Sequence, residues 1–530
     1  MKSQTEVELK FLVPAAARAD IATEMARGAA TFERVTLAAM YFDTDDRRLA
    51  QAGIAWRLRR EGRRWIQTLK AAGTTALERF EHEVVRPDAT HDASKHAGTL
   101  VGDQLITLLR RARKDNVDLV VRFQTEVRRT VRRVRTRGAV VEVAFEEGRL
   151  LSAGSVQRLR EIEFELISGS TAAMLALAER WRRRYGLIYD PRSKSERGDR
   201  LADGSPFPAV RKARQPRYPE DATVAGAFGA VLDECLAQIT RNAVGLLDGD
   251  PALRVEHVHQ LRVGIRRTRS ALRSFQGWAP SPPADLVEGL RSLFATLGMT
   301  RDGDVLHNGV VAELAKFGAP HLTLPAGAVG PDPAEAVRAA KTQQAFLAWI
   351  AWRATLANDP HLGVDPDTVE PGAVDSSEGE ANAVHVEQVK SEPILPVHED
   401  AQTLHRNAER RLRRWHRRII ADRNSFDELD EPNLHALRKR IKRQRYAVEF
   451  FAPLLRRQKV EHYLTVLTVV QDRMGELNDL FVARTRYQSL VAADPAAWFA
   501  LGWLAARIAE VRGLAKPALG RLAKVDPPSS

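Results

Sequence analysis

Glu6-Val7-Glu8-Leu9-Lys10 alternates full charge with hydrocarbon, residue by residue, and Phe11 extends the pattern. Side chains on a β-strand leave from opposite faces in turn. Glu6, Glu8 and Lys10 therefore share one face, and Val7, Leu9 and Phe11 the other. A single row of this kind is the ordinary composition of a sheet with a core side and a water side. This row is not single. Arg57 and Arg59 share a face against Trp56 and Leu58, Thr68 and Lys70 follow in Trp65-Ile66-Gln67-Thr68-Leu69-Lys70, and Arg79, Glu81 and Glu83 come next. Further along, Arg122 and Arg129 lie in or beside an extended stretch, and Glu142 alternates with Val141 and Val143. Glu161, Glu163 and Glu165 interleave with Ile162, Phe164 and Leu166.

Acids gather on some of these segments and bases on others. Roughly six or more strands, each with a charged and an apolar face, predict a closed or nearly closed antiparallel barrel with a charged lumen and helices over its outside. Candidate covering helices run over about 14–27, 94–113 and 170–185, the last with Ser170 placed to cap its start and Gly186 just past its end. A lumen with both signs of charge suits phosphates. Lys and Arg hold several phosphates, and carboxylates hold the hard divalent cations that bridge them. No Cys-rich or His-rich ligand set occurs here, which argues against structural zinc and for Mg²⁺ or Mn²⁺.

These residues resemble the signature of the CYTH, or triphosphate tunnel metalloenzyme, superfamily. Glu6-x-Glu8-x-Lys10 is followed in order by Tyr41-Phe42-Asp43-Thr44, Arg57-Leu58-Arg59, Thr68-Leu69-Lys70, Arg79-Phe80-Glu81-His82-Glu83, Glu161-Ile162-Glu163-Phe164-Glu165 and Ser193-Lys194. The resemblance covers about residues 1–200. It implies a tunnel fold that hydrolyses or cyclises triphosphate compounds with a divalent metal. It further implies that Lys10, Arg57, Arg59, Lys70, Arg79, Arg129 and Lys194 hold a linear triphosphate, and that Glu6, Glu8, Glu161, Glu163 and Glu165 bind the metal. A second ion, or Glu81 or Glu83 acting as base, would position the attacking water. The stretch from Phe123 to Arg135 is dense in arginine, so Arg128 and Arg129 compete for one tunnel position, with Arg129 as the candidate.

The chain has 530 residues, 44% hydrophobic and 28% charged, the composition of a globular protein with room for two or more domains. It has no apolar run of about 18 residues and begins directly on a charged strand, so neither a transmembrane helix nor a signal peptide is expected. The single cysteine, Cys235, excludes an intrachain disulfide and makes a cytoplasmic location the expectation. Its apolar neighbours mark it as a core residue rather than a nucleophile. The net charge of +13 calls for a polyanionic partner. That charge is uneven. Residues 359–400 carry eleven acids against Lys390, with Pro360, Pro366, Pro371, Pro393 and Pro396, which predicts a disordered acidic insertion over about 357–400. Pro206, Pro208, Pro216 and Pro219 flank Arg211-Lys212-Ala213-Arg214, which predicts a linker at 204–220 between a tunnel domain at 1–203 and a helical domain at 221–520.

Beyond the linker the pattern changes to helical spacing, and one segment occurs twice. His259-Gln-Leu-Arg262-Val-Gly-Ile-Arg266-Arg267-Thr-Arg269 aligns with His435-Ala-Leu-Arg438-Lys-Arg-Ile-Lys442-Arg443-Gln-Arg445. About forty residues later each copy has a glycine, an acid and a valine, Gly298…Asp302…Val305 and Gly475…Asp479…Val482, an internal repeat. On a helix, His259, Arg262, Arg266 and Arg269 fall within an arc of about 80°, with Val258, Leu261, Ile265, Leu272 and Phe275 on a neighbouring to opposite arc. The second copy repeats this. A basic helical face is usually a solvated one, but four like charges on one face repel, and their duplication points to a compensating ligand. His405–Arg418 adds seven arginines against Glu409. No zinc-finger spacing or aromatic-interleaved RNA motif accompanies them, so a repeating polyanion is expected rather than a specific nucleic acid.

The repeated His-x-x-Arg unit resembles the CHAD domain, a helical module of two pseudo-repeated bundles that binds inorganic polyphosphate. The match covers about 220–520. It implies that His259, Arg262, Arg266, Arg267, Arg269, His435, Arg438, Lys442, Arg443 and Arg445 line a basic channel for long-chain polyphosphate. Each histidine could instead serve as a cap or packing residue. Asp302 and Asp479 are expected to orient the channel's arginines. The fold class expected is thus an α+β N-terminal antiparallel β-barrel tunnel with flanking helices, followed by an all-α domain of two pseudo-repeated bundles. The expected function is metal-dependent hydrolysis of inorganic triphosphate, the combination resembling bacterial inorganic triphosphatases, with possible association with polyphosphate granules. The rivals are a non-catalytic polyphosphate-binding protein, a tunnel enzyme acting on nucleoside or thiamine triphosphate (adenylate cyclase included), and nonspecific nucleic-acid binding.

Overall fold

The computed structural model describes residues 5–27, 32–73, 75–305, 310, 312–320, 331–358 and 401–529. Apart from the last residues of one helix, the expected acidic insertion lies outside the described residues.

The N-terminal half is built on β1 (Thr5–Leu12), β2 (Phe32–Thr44), β3 (Ile54–Glu61), β4 (Arg64–Ala72), β5 (Glu78–Arg86), β6 (Leu119–Thr136), β7 (Ala139–Ser152) and β8 (Ser155–Gly169). They run in the order β5-β4-β3-β2-β6-β7-β8-β1, and a two-residue β9 (Ile188–Tyr189) adds to β1. The seam is β1 itself. Its residues Thr5–Val7 pair antiparallel with β5, and Glu8–Leu12 pair with β8, so the barrel closes within the alternating stretch. Closure leaves the charged rows inside and puts Phe11, Val143, Phe145, Ile162 and Phe164 outside.

Helices cover that outer face. The first, α1 (Arg18–Ala26), buries Ile21 and Met25. A short α2 (Arg48–Gln51) follows β2, and α3 (Leu100–Lys114) sets Leu105 against Trp56, Leu58 and Leu69. Helix α4 (Thr171–Tyr185) packs Met174, Ala178 and Trp181 on the cluster around Phe164. As expected from sequence, the Ser170 hydroxyl accepts from Ala172 N–H at 3.2 Å, and Gly186 ends the helix at φ +62°. Two short helices of this half, α2 and α5, were not foreseen. Helix α5 (Lys194–Ala202) closes an end of the barrel, with Leu201 packed against Ala39, Tyr41, Phe123 and Leu150.

The C-terminal half is helical: α6 (Val224–Asp248), α7 (Arg254–Phe275), α8 (Ala284–Val305), α9 (Ala312–Lys316), α10 (Pro333–Arg338) and α11 (Ala340–Asn358), then α12 (Ala401–Asn424), α13 (Glu431–Phe451), α14 (Arg457–Gln488) and α15 (Ala497–Leu522). The two repeat-bearing helices, α7 and α13, meet through Phe275 and Phe451, with ring centroids 5.1 Å apart. One apolar core runs through both bundles and contains Cys235, fully buried, whose thiol burial pushes up to about 11. Leu347 and Ile350 of α11 are buried in the barrel's outer cluster instead. Burying such side chains is worth about 1.5–3 kcal/mol each, which ties the halves together. No helix among the described residues is long and apolar enough to cross a membrane.

Candidate active site in the barrel lumen

The lumen collects cations from six elements and pairs them with carboxylates. On β1, β4 and β5, Lys70 Nζ lies 2.9 Å from Glu6 and 3.0 Å from Glu81. On β3, Arg57 lies 3.7 Å from Glu81 and donates to the Tyr41 hydroxyl at 3.2 Å. Arg59 reaches Glu83 at 3.4 Å, a carboxylate that also accepts from Thr68 at 3.1 Å. Arg79 is 3.5 Å from Glu8. Arg129 lies 3.0 Å from both Glu146 and Glu163, and Lys194, at the start of α5, sits 2.7 Å from each of Glu146, Glu161 and Glu163. The Lys10 ammonium donates to the carbonyl of Arg192.

The choice between Arg128 and Arg129 is resolved by the pleat. Arg129 points inward, whereas Arg128, 59% exposed, pairs with Glu147 on the outer wall at 3.0 Å. Arg122 does not face the lumen. The register of β2 with β6 shifts from Tyr41↔Phe123 to Phe42↔Val121, a bulge at Arg122, whose guanidinium reaches Asp203 at 2.6 Å and Asp199 at 3.4 Å. Two lumen residues were missed from sequence. Glu146 stands four residues beyond Glu142, which period two places on the same face. Arg197, 3.2 Å from Glu161, stands one helical turn beyond Lys194.

Electrostatics divide the carboxylates into two groups. Burial opposes ionisation of Glu163, but Lys194 and Arg129 reverse this and hold it well below the usual carboxylate range. The same pairing holds the Lys194 ammonium well above its ordinary value against burial. Oxygens of Glu146, Glu161 and Glu163 lie within 4.8 Å of one another, the spacing of a metal site, but the Lys194 ammonium already bridges all three. The second group differs. Burial and the neighbouring Glu6 and Glu142 carboxylates push Glu165 up to about 7. Glu165 has no cation of its own among the ion pairs of the described residues, and Glu8 lies opposite it in register, so Glu165 with Glu6, Glu8 and Glu142 offers the oxygen ligands that a hard divalent ion takes.

The cations are likewise under-compensated at one point. Burial and the adjacent Arg57 lower Arg59 below its ordinary value, and the buried Nε–H groups of Arg57 and Arg59 have no hydrogen-bond partner among the described residues. An anion with several oxygens would satisfy both.

In the helical half, α7 and α13 bring the two basic segments onto packed helices. His259, Arg262, Arg266 and Arg269 are half-buried on α7, as are Arg438, Lys442, Arg443 and Arg445 on α13, while His435 is exposed. Arg262 stacks over the Phe294 ring at 4.5 Å, and a Cβ on Gly298 would come within 3.0 Å of its guanidinium, so the glycine leaves it room. Gly475 has no such neighbour. His435 Nδ1 meets Asn478 Oδ1 at 2.7 Å, Arg445 pairs with Glu449 at 2.9 Å, and Arg443 lies 5.6 Å from the Trp415 ring. Asp479 accepts from Asn478 at 3.4 Å, and the Asp302 side chain lies outside the described residues. Arg267 is not brought to this strip. It is 1% exposed and donates to Gln238 Oε1 at 3.0 Å and the Arg214 carbonyl at 2.8 Å.

The chain joins a closed antiparallel barrel, whose interior pairs lysines and arginines with glutamates, to a helical domain that carries the repeated basic segment. Family models agree with both parts: residues 4–198 match the CYTH domain and residues 230–488 the CHAD domain. The chain thus carries a CYTH domain followed by a CHAD domain. It is similar to the CHAD domain from the plant Ricinus communis, with 26% identity over 61% of this chain and 99% of that one and a TM-score of 0.42. It is also similar to HpAC1 from Hippeastrum, for which a dominant triphosphatase activity is described, with 17% identity over 38% of this chain and 96% of that one and a TM-score of 0.26. The inorganic triphosphatase NE1496 matches with 19% identity over 32% of this chain and 78% of that one, at a TM-score of 0.14.

Proposed function

We propose that the tunnel hydrolyses inorganic triphosphate, and that the helical domain, residues 221–520 beyond a linker at 204–220, binds long-chain polyphosphate. The observation that carries this reading is the convergence of Lys10, Arg57, Arg59, Lys70, Arg79, Arg129 and Lys194 on one lumen, with donors on Arg57 and Arg59 left for an anion. Their positive charge matches a linear triphosphate along its length. Water attacks the terminal phosphorus, the bridging P–O bond breaks, and pyrophosphate leaves. Charge develops on the bridging and outer oxygens, where fixed guanidinium and ammonium groups stabilise it. Glu6, Glu8, Glu142 and Glu165 would hold Mg²⁺ or Mn²⁺. When bound, such an ion neutralises phosphate charge and orients the chain for attack. Glu161 and Glu163, with Glu146, have the spacing to hold an ion as well, at a place they share with the Lys194 ammonium. Burial would raise Glu83, but Arg59, Arg57 and Lys70 hold it below its ordinary value, so it is a poor proton acceptor. Orienting the water would fall to a second ion or to Glu81, which itself lies 3.0 Å from Lys70.

The test is phosphate release from tripolyphosphate, ATP and long polyphosphate, each with and without Mg²⁺ or Mn²⁺. Fast metal-dependent release from tripolyphosphate with ATP slow supports the reading. Preference for ATP would move the substrate to nucleoside triphosphates, and no turnover by folded protein that binds polyphosphate would leave a binding protein.

A further inference from the structure

Lys194 and Lys10 are lumen cations, and both contact or belong to the segment from Tyr189 to Glu196. The segment has its own supports in the barrel half. Asp190 N–H donates to the Lys10 carbonyl at 3.1 Å, and the Lys10 ammonium donates back to the Arg192 carbonyl. The Ser193 hydroxyl caps α5 by accepting from Glu196 N–H at 3.0 Å. Arg192 is buried, and its guanidinium donates to both oxygens of Asp190.

Other supports come from the helical half. Asp248, the last residue of α6, accepts from Arg192 Nη2 at 2.9 Å. Gln343 on α11 accepts from Tyr189 N–H at 3.0 Å through its side-chain oxygen. Arg241, two turns before the end of α6, pairs with Glu196. These contacts come from two helices and fall on both sides of Lys194, at Tyr189, Arg192 and Glu196.

We propose that the helical domain is a positioning element for the tunnel: through Asp248, Gln343 and Arg241 it holds the segment that sets Lys194 and Lys10. The inference rests on the tunnel reading above. Among the described residues, the polar contacts of Asp248, Gln343 and Arg241 on the barrel half go to Arg192, Tyr189 and Glu196, so they act through these three. The physical case is one of constraint. A lysine held among three carboxylates is pulled toward them, and only a rigid backbone keeps its ammonium where a phosphate oxygen arrives. A displacement of about 1 Å at such a group is enough to cost about 100-fold in rate. Because α6 and α11 both contact this segment, a shift of either helix on filling of the helical domain would reach the backbone that carries Lys194.

The test uses the full chain carrying Asp248→Asn, Gln343→Ala and Arg241→Ala together, with Asp248→Glu alone as the conservative variant. Asp248 is 42% exposed and Arg192 keeps Asp190, whereas Gln343 is 2% exposed, so Asp248→Asn with Arg241→Ala is the second variant, read in the same way if the triple one does not fold. Hydrogen exchange of amides 189–196 should speed up while strands β2 and β6 keep their protection. Metal-free tripolyphosphate binding, measured calorimetrically in EDTA, should weaken about tenfold, kcat should fall more than KM rises, and Asp248→Glu should retain most of each. Faster exchange with unchanged tripolyphosphate binding would show that the contacts merely join the domains, and would overturn the proposal, as would unchanged exchange. A wild-type chain that neither binds tripolyphosphate nor hydrolyses it with Mg²⁺ or Mn²⁺ would remove the tunnel reading itself, a result distinct from an unresponsive variant.

Discussion

Arg266 and Arg267 are neighbours in sequence and opposites in environment. Arg266 is half-buried on the basic strip of α7, while Arg267 is enclosed between Gln238, the Arg214 carbonyl and the Phe450 ring. Truncating a buried, hydrogen-bonded cation leaves its partners unsatisfied, so Arg267→Ala should cost about 3 kcal/mol of stability. Arg266→Ala should cost little stability and weaken polyphosphate binding. Chemical denaturation and a polyphosphate titration on both variants check this, and the reverse result would reassign the two residues. In the lumen, Lys70→Ala and Glu6→Gln should each lower kcat/KM by about 100-fold or more, because each removes a group aimed at the reacting phosphates or their cation. Melting temperatures should stay near wild type, since Lys70 and Glu6 pair in the open lumen rather than in the apolar core. Near-normal turnover in folded Glu6→Gln would remove that site assignment.

At the scale of elements, α5 carries more of the site than its nine residues suggest. It presents Lys194 and Arg197 to the glutamates and presses Leu201 into the barrel end. Gly198 makes that approach possible, because a Cβ there would meet the Phe123 ring at 2.2 Å. Gly198→Ala should push α5 outward, lowering both the melting temperature and kcat. The contact between α3 and the sheet has a different sensitivity. His96 is fully buried at the turn before α3, within 3.0 Å of Gln67 and 2.9 Å of His82. Burial first, then the neighbouring His82, lowers its pKa to about 4. An unfolded imidazole titrates near 6.5, so its unfolded form takes up a proton that the folded form refuses. Stability from this group is complete above about pH 6.5 and is lost as the pH falls toward 4. His96→Gln should remove about one proton of uptake on unfolding in that window, read from melting temperature against pH. An unchanged slope would show that His96 does not set it.

At the scale of the molecule, the two halves should answer differently to ions. EDTA should abolish hydrolysis while leaving polyphosphate binding by the helical half in place, and added Mn²⁺ should restore turnover. Raising salt should weaken polyanion binding steeply, because phosphate contacts release condensed counterions. Long polyphosphate should outcompete duplex DNA at equal phosphate and fixed salt. Equal competition would favour a general basic surface over a polyphosphate channel.

The alternation from Glu6 to Lys10 and its recurrences determined the barrel and most of the strand residues that line it, because period two is a local property of extended chain. The duplicated His-x-x-Arg segments likewise determined the paired helices, because helical spacing is local. The Arg128–Arg129 ambiguity, the bulge that turns Arg122 outward and the burial of Arg267 were decided only in three dimensions, since register and packing depend on partners far along the chain. The division of the glutamates was decided there too. Glu161 and Glu163 look like Glu6 and Glu165 in sequence, but α5 delivers Lys194 to the first pair and leaves Glu165 facing other carboxylates. Charge compensation is set by distance in space, and the contacts of Asp248, Gln343 and Arg241 on the Lys194 segment join residues that no local pattern relates.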